Sequence, residues 1–362
     1  MFWIIVLLAV LFITFYHLRG EDLSRYDWPP GQSFGTGEGP SEQHRALEAF
    51  MREAFGGMMG GSGSESASGG SRGRIARLRQ VLDGLSDSQQ IDATITRTHA
   101  GGVPAEWVLA PGADPARRVL YIHGGGFIVG SPKSHRNITS NFSRVAGAAV
   151  LAIDYRLLPE DSRKDGIEDC RRAYSWLINN GPDGPAAADR VFVGGDSAGG
   201  NLTLSLTAWL RGKPLRQPDA AVALSPLTDG TMASPSLLGN LKTDAMLGPA
   251  LGRITRVPRP LLWWGSWLWM RINPSDPVVS PVYGDLSGLP PTLVHASEAE
   301  MLLDDARRYV NRAAAAGSPV RLQTWPHVMH VWHIFHPDLD EARAAWDEIG
   351  AFIADTDAAG TR

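Results

Sequence analysis

The stretch Arg190-Val-Phe-Val-Gly-Gly-Asp196-Ser197-Ala198-Gly199-Gly200-Asn201 joins two unlike patterns. Val191 to Val193 is a short apolar run suited to a buried strand, and Asn201 to Leu210 (Asn-Leu-Thr-Leu-Ser-Leu-Thr-Ala-Trp-Leu) suits a buried helix. Ser197 therefore falls where strand turns into helix. A turn that tight needs neighbours without bulky side chains, which Gly195, Gly199 and Gly200 supply, and it leaves the serine oxygen projecting over the carboxyl end of a sheet. Gly69-Gly70-Ser71-Arg72-Gly73 fits the same Gly-x-Ser-x-Gly expression, but it lies in a Gly/Ser-rich tract with no strand before it and reads as linker.

The rest of the chain reads as equipment for that serine. A chain of 362 residues with 43% hydrophobic residues is ample for a large core. A net charge of −4 and a pI near 6.2 give nucleic-acid binding no electrostatic support. One cysteine, Cys170, excludes an intrachain disulfide and a cysteine-based zinc site.

Met1 to Leu18 is nearly uninterrupted apolar sequence, about 27 Å long as a helix. With no basic residue before it and no small-x-small cleavage site after it, it predicts an uncleaved single-pass membrane anchor over residues 1–19. Trp3 and Tyr16 stand near its two ends as interfacial aromatics, and Arg19 and Arg25 weakly favour a cytoplasmic-facing catalytic domain. Residues 20–90 read as a proline- and glycine-rich tether (20–40) followed by N-terminal cap helices. The first is predicted over Glu42 to Phe55 and the second, basic one over Arg74 to Leu85, with a flexible tract from Gly56 to Gly73 between them.

From Ile91 the pattern becomes regular: two early strands at 91–97 and 106–110, then continuous apolar runs at 119–122, 148–153, 191–193, 220–224 and 292–295. Helix-length segments between them lie at 134–146, 167–179, 202–211 and 301–316. Buried strands alternating with helices imply an α/β fold with a mostly parallel central sheet covered on both faces, over residues 91–362. About 50 residues at 228–277 break the rhythm, carry Trp263, Trp264, Trp267 and Trp269, and read as a lid inserted between two strands. The tryptophans suit either cap core or a membrane-facing surface.

A serine attacking a carbonyl carbon creates an oxyanion, so backbone N–H donors must stand near it. His123-Gly124-Gly125-Gly126-Phe127, directly after the run Val119 to Ile122, supplies a backbone that can come that close. His330 lies in Trp325-Pro-His-Val-Met-His330, after the apolar run 320–322, where the loop beyond a last strand carries a base. His327, His330, His333 and His336 recur every three residues, a step that drifts around a helix and makes a poor metal site. Glu298, Glu300, Asp304 and Asp305 all follow the strand at 292–295 and compete to orient the histidine, the two glutamates being better placed in the loop.

His123-Gly-Gly-Gly126, Asp154-Tyr-Arg-Leu-Leu-Pro-Glu160, Gly195-Asp-Ser-Ala-Gly-Gly200, Asp276-Pro-Val-Val-Ser-Pro281 and Leu289-Pro-Pro-Thr-Leu resemble, in order, the motifs of the bacterial hormone-sensitive-lipase family of carboxylesterases. The resemblance runs from about Ile91 to the C-terminus. It implies an α/β-hydrolase fold with a helical cap and a serine esterase of short- to medium-chain acyl esters, with no metal or organic cofactor. Its catalytic residues would be Ser197, His330 and Glu300, where the family more often has aspartate, with Glu298 as the competing acid. It also implies an oxyanion hole from the N–H groups of Gly125, Gly126 and Ala198. The expected partners are a small apolar ester and, through the anchor, a membrane. A lactonase, amidase or acyltransferase would use the same residues, and a catalytically silent binding protein would share the fold.

Overall fold

The computed structural model describes residues 2–35, 39–60, 70–85 and 90–360, so the middle of the expected flexible tract lies outside the described residues. A nine-stranded sheet is built from β1 (Gln32–Ser33), β2 (Thr94–Ala100), β3 (Val103–Leu109), β4 (Asp114–Ile122), β5 (Ala148–Ile153), β8 (Arg190–Asp196), β9 (Ala220–Leu224), β10 (Thr292–Ser297) and β11 (Val320–Trp325). A small hairpin of β6 (Asn180–Gly181) and β7 (Gly184–Pro185) stands apart. The order across the sheet is β1-β11-β10-β9-β8-β4-β5-β3-β2. Only β3 runs against its neighbours β2 and β5, and the remaining pairs are parallel. The central strands β5, β9 and β10 are buried at every position, which is why their sequences read as continuous apolar runs.

The faces are covered by α4 (Arg136–Ala146), α5 (Arg163–Leu177), α6 (Ala198–Leu210), α10 (Leu303–Ala315) and α11 (Asp340–Gly360). One face packs Leu120, Leu151 and Val193 against Tyr174 and Leu206, and the other packs Tyr121, Val150 and Phe192 against Phe142, Trp346 and Phe352. Helix α5 starts with a capping box, in which Ser162 and Asp165 satisfy each other's backbone N–H groups. Between β9 and β10 the chain makes α7 (Ser236–Gly239), α8 (Leu247–Leu251) and α9 (Arg259–Met270). The N-terminal helices α2 (Glu42–Gly60) and α3 (Gly70–Leu85) lie beside this region and the first loops of the sheet, with Arg52 donating to the carbonyls of Lys242 (3.0 Å) and Thr243 (3.3 Å).

The N-terminus departs most from expectation. Helix α1 (Phe2–Phe12) has 11 residues and gives way at Ile13–Leu18 to a wider π-helical turn. Among the described residues no helix is long and apolar enough to cross a membrane, which overturns the single-pass anchor over residues 1–19, the membrane partner and the cytoplasmic-facing placement inferred from it. The physical reason lies in the second half of the run, which packs on the protein itself. Thr14 accepts a 2.8 Å hydrogen bond from the Trp264 indole, the His17 carbonyl accepts from Asn273 (2.6 Å) and Ser275 (3.2 Å), and Leu18 is fully buried. Residues 21–34, read as tether, are strapped along α10 and β11. Asp27 pairs with Arg308, Asn311 donates to the Tyr26 and Trp28 carbonyls, and Phe34 stacks on Trp325 at 4.9 Å.

Candidate active site

Ser197 is the residue before the first turn of α6 and has φ 52° and ψ −116°, a left-handed conformation that a non-glycine residue adopts only under constraint. Its N–H is fixed to the Leu224 carbonyl (2.7 Å) and its carbonyl accepts from Asn201 (3.0 Å). The flanking glycines are dictated by contact: a Cβ on Gly199 would lie 1.9 Å from the Ile122 carbonyl oxygen, and one on Gly195 2.6 Å from the same atom. The side chain that results is half-buried, with its oxygen at the carboxyl edge of the sheet.

His330 Nε2 lies 2.9 Å from Ser197 Oγ, and His330 Nδ1 lies 2.6 Å from Glu300 Oε2. Glu300 is fully buried and its other oxygen accepts the Ser297 N–H at 3.0 Å. Burial pushes the Glu300 carboxyl above its ordinary range against the pull of His330. Burial also opposes the charged form of His330, but the Glu300 hydrogen bond and charge outweigh it and hold the imidazole above its usual value. Glu298 points elsewhere: it accepts from Ser33 Oγ (2.7 Å) and Thr324 Oγ1 (2.8 Å) at the β1–β11 edge. Asp304 and Asp305 sit in the first turn of α10, where Asp304 accepts the Ser236 N–H (2.8 Å) and Asp305 the N–H groups of Thr228 (2.7 Å) and Asp229 (2.9 Å). The four spaced histidines diverge. His333 is buried 3.0 Å from His295, and the His336 carbonyl accepts from buried Asn137 at 2.8 Å.

The glycine loop after β4 carries φ +107° at Gly125 and +62° at Gly126. Among the described residues no acceptor is paired with the N–H of Gly125 or Gly126, and Ala198, first residue of α6, has no intrahelical acceptor for its own. These are the three donors expected for an oxyanion, and the Gly125 position tolerates no side chain, since a Cβ would meet the Val129 carbonyl oxygen at 2.1 Å.

Several supports carried no role in the sequence reading. Asp196 accepts from Tyr121 Oη (2.7 Å) and from the Gly124 N–H (3.1 Å), tying the Ser197 turn to the glycine loop. Burial opposes ionisation of Asp196 and of His135, 3.5 Å away, but their attraction wins, holding Asp196 low and His135 high. Asp196 stands inside the quoted motif, so the signal was present. Asn240 and Asp244 gave none, yet from the insertion they hold the acid loop: Asn240 donates to the Glu298 (2.9 Å) and Glu300 (2.8 Å) carbonyls, and Asp244 accepts the Met301 N–H (2.8 Å). The tryptophans split, with Trp263 buried and bonded to the Thr231 carbonyl (2.9 Å) and Trp269 exposed.

A family model described as the alpha/beta hydrolase fold matches residues 119–334. An acetyl-hydrolase of Streptomyces hygroscopicus is 39% identical over 254 residues, 70% of this chain and 80% of that protein. The carboxylesterase/phospholipase LipF of Mycobacterium tuberculosis is 37% identical over 266 residues, 70% of this chain and 67% of LipF. A crystal structure of an esterase from the bacterial hormone-sensitive lipase family superposes with a TM-score of 0.73 at 34% identity, covering 88% of this chain and 99% of that one. With its doubly covered, mostly parallel sheet, the chain belongs to the α/β-hydrolases, in the bacterial hormone-sensitive-lipase family of ester-hydrolysing enzymes.

Proposed function

We propose that the chain cleaves short- to medium-chain acyl esters through an acyl-enzyme on Ser197, with His330 as the base, Glu300 orienting it, and the N–H groups of Gly125, Gly126 and Ala198 receiving the oxyanion. The observation that carries this reading is the unbroken line from Ser197 Oγ to His330 (2.9 Å) and on to buried Glu300 (2.6 Å). Ser197 Oγ attacks the ester carbonyl carbon while its proton passes to His330 Nε2, and the carbonyl electrons move onto the oxygen facing the three donors. Collapse expels the alcohol, which leaves with the proton from His330. Water then attacks the acyl-enzyme, with His330 taking its proton and returning it to Ser197 as the carboxylic acid departs. Glu300 stays ionised and stabilises the imidazolium at both stages.

The cap over this site is formed, in this reading, by α2, α3 and the insertion 228–277, with α2 meeting the insertion where Arg52 reaches the Lys242 and Thr243 carbonyls. A short acyl group is favoured because the relatives include an acetyl-hydrolase and an ethyl acetate hydrolase of Pseudomonas putida. The test is a series of nitrophenyl esters from acetyl to dodecanoyl with the parent and Ser197→Ala. Turnover highest on the shorter chains and abolished in Ser197→Ala is expected, and near-normal turnover in Ser197→Ala would remove the serine from the mechanism.

A further inference from the structure

We propose that Arg79, on the N-terminal helix α3, is a positioning residue that holds the oxyanion loop in its working shape, so that docking of α3 and competence of the hole are one event. The inference rests on the assignment of Gly125 and Gly126 as oxyanion donors.

The loop is strained. Gly125, Gly126 and Phe127 follow one another with φ of +107°, +62° and +66°, and the last is a bulky residue for which a left-handed backbone is strained. At its near end the loop is fixed by the Gly124 N–H on Asp196 at 3.1 Å. Its far end folds back, with the N–H groups of Ile128 (3.1 Å) and Val129 (3.0 Å) both on the Gly125 carbonyl, and the Phe127 carbonyl accepts from the Leu158 N–H (2.9 Å). Arg79 clasps this far end from outside: Nε donates to the Ile128 carbonyl (2.8 Å), and Nη2 to the Leu158 carbonyl (2.9 Å) and to Glu160 (2.9 Å). It thus joins the two backbone segments on either side of the Phe127–Leu158 bond, in a planar fork that lysine cannot reproduce. One turn further along the same face of α3, Asp83 accepts from Ser131 Oγ at 2.5 Å and pins the residue where the loop ends.

A decorative surface ion pair is the competing account, since Glu160 is 47% exposed and such pairs contribute little. The main-chain carbonyls of Ile128 in the strained loop and of Leu158 in the segment that braces it are not part of an ion pair, however, and they separate the two accounts. An oxyanion donor works within a few tenths of an ångström of its acceptor position, so a loosened loop weakens the transition state more than the bound ester.

The experiment uses the full chain with Arg79→Met, Arg79→Lys and Glu160→Gln, assayed on p-nitrophenyl butyrate, with active Ser197 counted by a fluorophosphonate probe. Phenylboronic acid, whose serine adduct places an oxygen on the same donors, reports the hole directly. For Arg79→Met the expected result is kcat per titrated serine lower by roughly 10- to 100-fold, KM within about threefold, and the boronate inhibition constant raised in parallel. Arg79→Lys is not expected to rescue, and Glu160→Gln, which leaves both carbonyl bonds in place, stays within about threefold of the parent. If Arg79→Met yields no folded protein, Asp83→Asn, which weakens the second clasp, must show the same kcat and boronate pattern at smaller size. Unchanged kcat, a change in KM alone, or an equal loss in Glu160→Gln overturns the proposal. Intact turnover in Ser197→Ala, or a parent enzyme that phenylboronic acid does not inhibit, would instead indict the assignment beneath it.

Discussion

Replacing Glu300 by glutamine tests the site at the point where the structure dictates a chemical outcome. Glu300 accepts the Ser297 N–H on Oε1 and faces His330 Nδ1 with Oε2. A glutamine in the same place must keep its carbonyl oxygen on the Ser297 N–H, because an amide NH2 turned there would set donor against donor. Its NH2 then points at His330 Nδ1, which must become the acceptor, and the ring proton moves to Nε2, the nitrogen facing Ser197. The base is left protonated where it needs a lone pair.

A wrong tautomer of this kind costs about 10⁴ in kcat in a serine protease, about 5 kcal/mol of barrier, and kcat/KM in Glu300→Gln is expected to fall by roughly 10³- to 10⁴-fold. The pH profile carries a second sign. In the proposed mechanism His330 must be neutral to act, and because Glu300 holds its pKa above the usual 6.5, the parent is expected to lose activity as pH falls through a midpoint above that value. In Glu300→Gln the residual activity has its acid limb at lower pH. Glu298→Gln, which alters only contacts to Ser33 and Thr324, stays within about threefold of the parent. Stopped assays with nitrophenyl butyrate from pH 5 to 9 read all three. A Glu300→Gln enzyme within tenfold of the parent, or a more damaged Glu298→Gln, refutes the reasoning.

Buried His123 and His295, both pushed by burial down to about 3, and His333, pushed well below 6.5, bind protons more readily unfolded than folded; stability is therefore lost as pH falls below 6.5, by about 2 kcal/mol at pH 5 for each of His123 and His295. His135 and His330, shifted upward, offset part of this, and a melting temperature that does not drop between pH 7 and pH 5 contradicts the assignment. Arg308 holds Asp27 at 2.6 Å and lies 3.8 Å from buried Asp229; burial, with the charge of Asp229 second, raises Asp305 to about 7. Arg308→Met is expected to lower unfolding free energy by roughly 3–5 kcal/mol in urea titrations, and a loss below about 1 kcal/mol would show that the cluster carries no net cation. Trp264, bonded to Thr14, and exposed Trp269 separate in thermal unfolding: Trp264→Ser lowers the melting temperature by several degrees and Trp269→Ser hardly at all, with the reverse order excluding the N-terminal contact.

What was legible in the sequence was local. Strands buried on both faces are written as unbroken apolar runs, so β5, β9 and β10 could be read within two residues, and the glycines at 195 and 199 are demanded by the contacts that define the turn. The order Ser197, acid, His330 follows from the order of loops. What could not be read depended on partners distant in sequence. Strand β1 has two residues and exists because β11 offers an unpaired edge. The apolar run at 2–18 satisfies lipid and a tryptophan-bearing helix equally in composition, and the choice is made by Thr14, Asn273 and Ser275, polar partners with no periodic signature. Glu298 and Glu300 differ by two positions in one loop, and the backbone N–H of Ser297 and the side chain of Asn240 determine which of them faces inward.

The distribution of strain explains why this sheet, and not a looser scaffold, carries the site. Phe127, Ser197, Ser225 and Val331 are non-glycine residues with φ of 66°, 52°, 47° and 52°, and they follow β4, β8, β9 and β11. Those strands are parallel members of one sheet, so their carboxyl ends lie along a single edge and four costly turns gather there. Each is braced by another. Ser225 Oγ accepts the Val331 N–H at 3.2 Å, the Ser197 N–H rests on the Leu224 carbonyl at 2.7 Å, and Asp196 reaches the Gly124 N–H at 3.1 Å. A turn released from its brace would relax to an ordinary backbone conformation and carry its functional group away with it. The side chains of the candidate site are therefore held by mutual constraint among loops rather than by any one of them, and the buried strands supply the rigidity that each strained turn lacks.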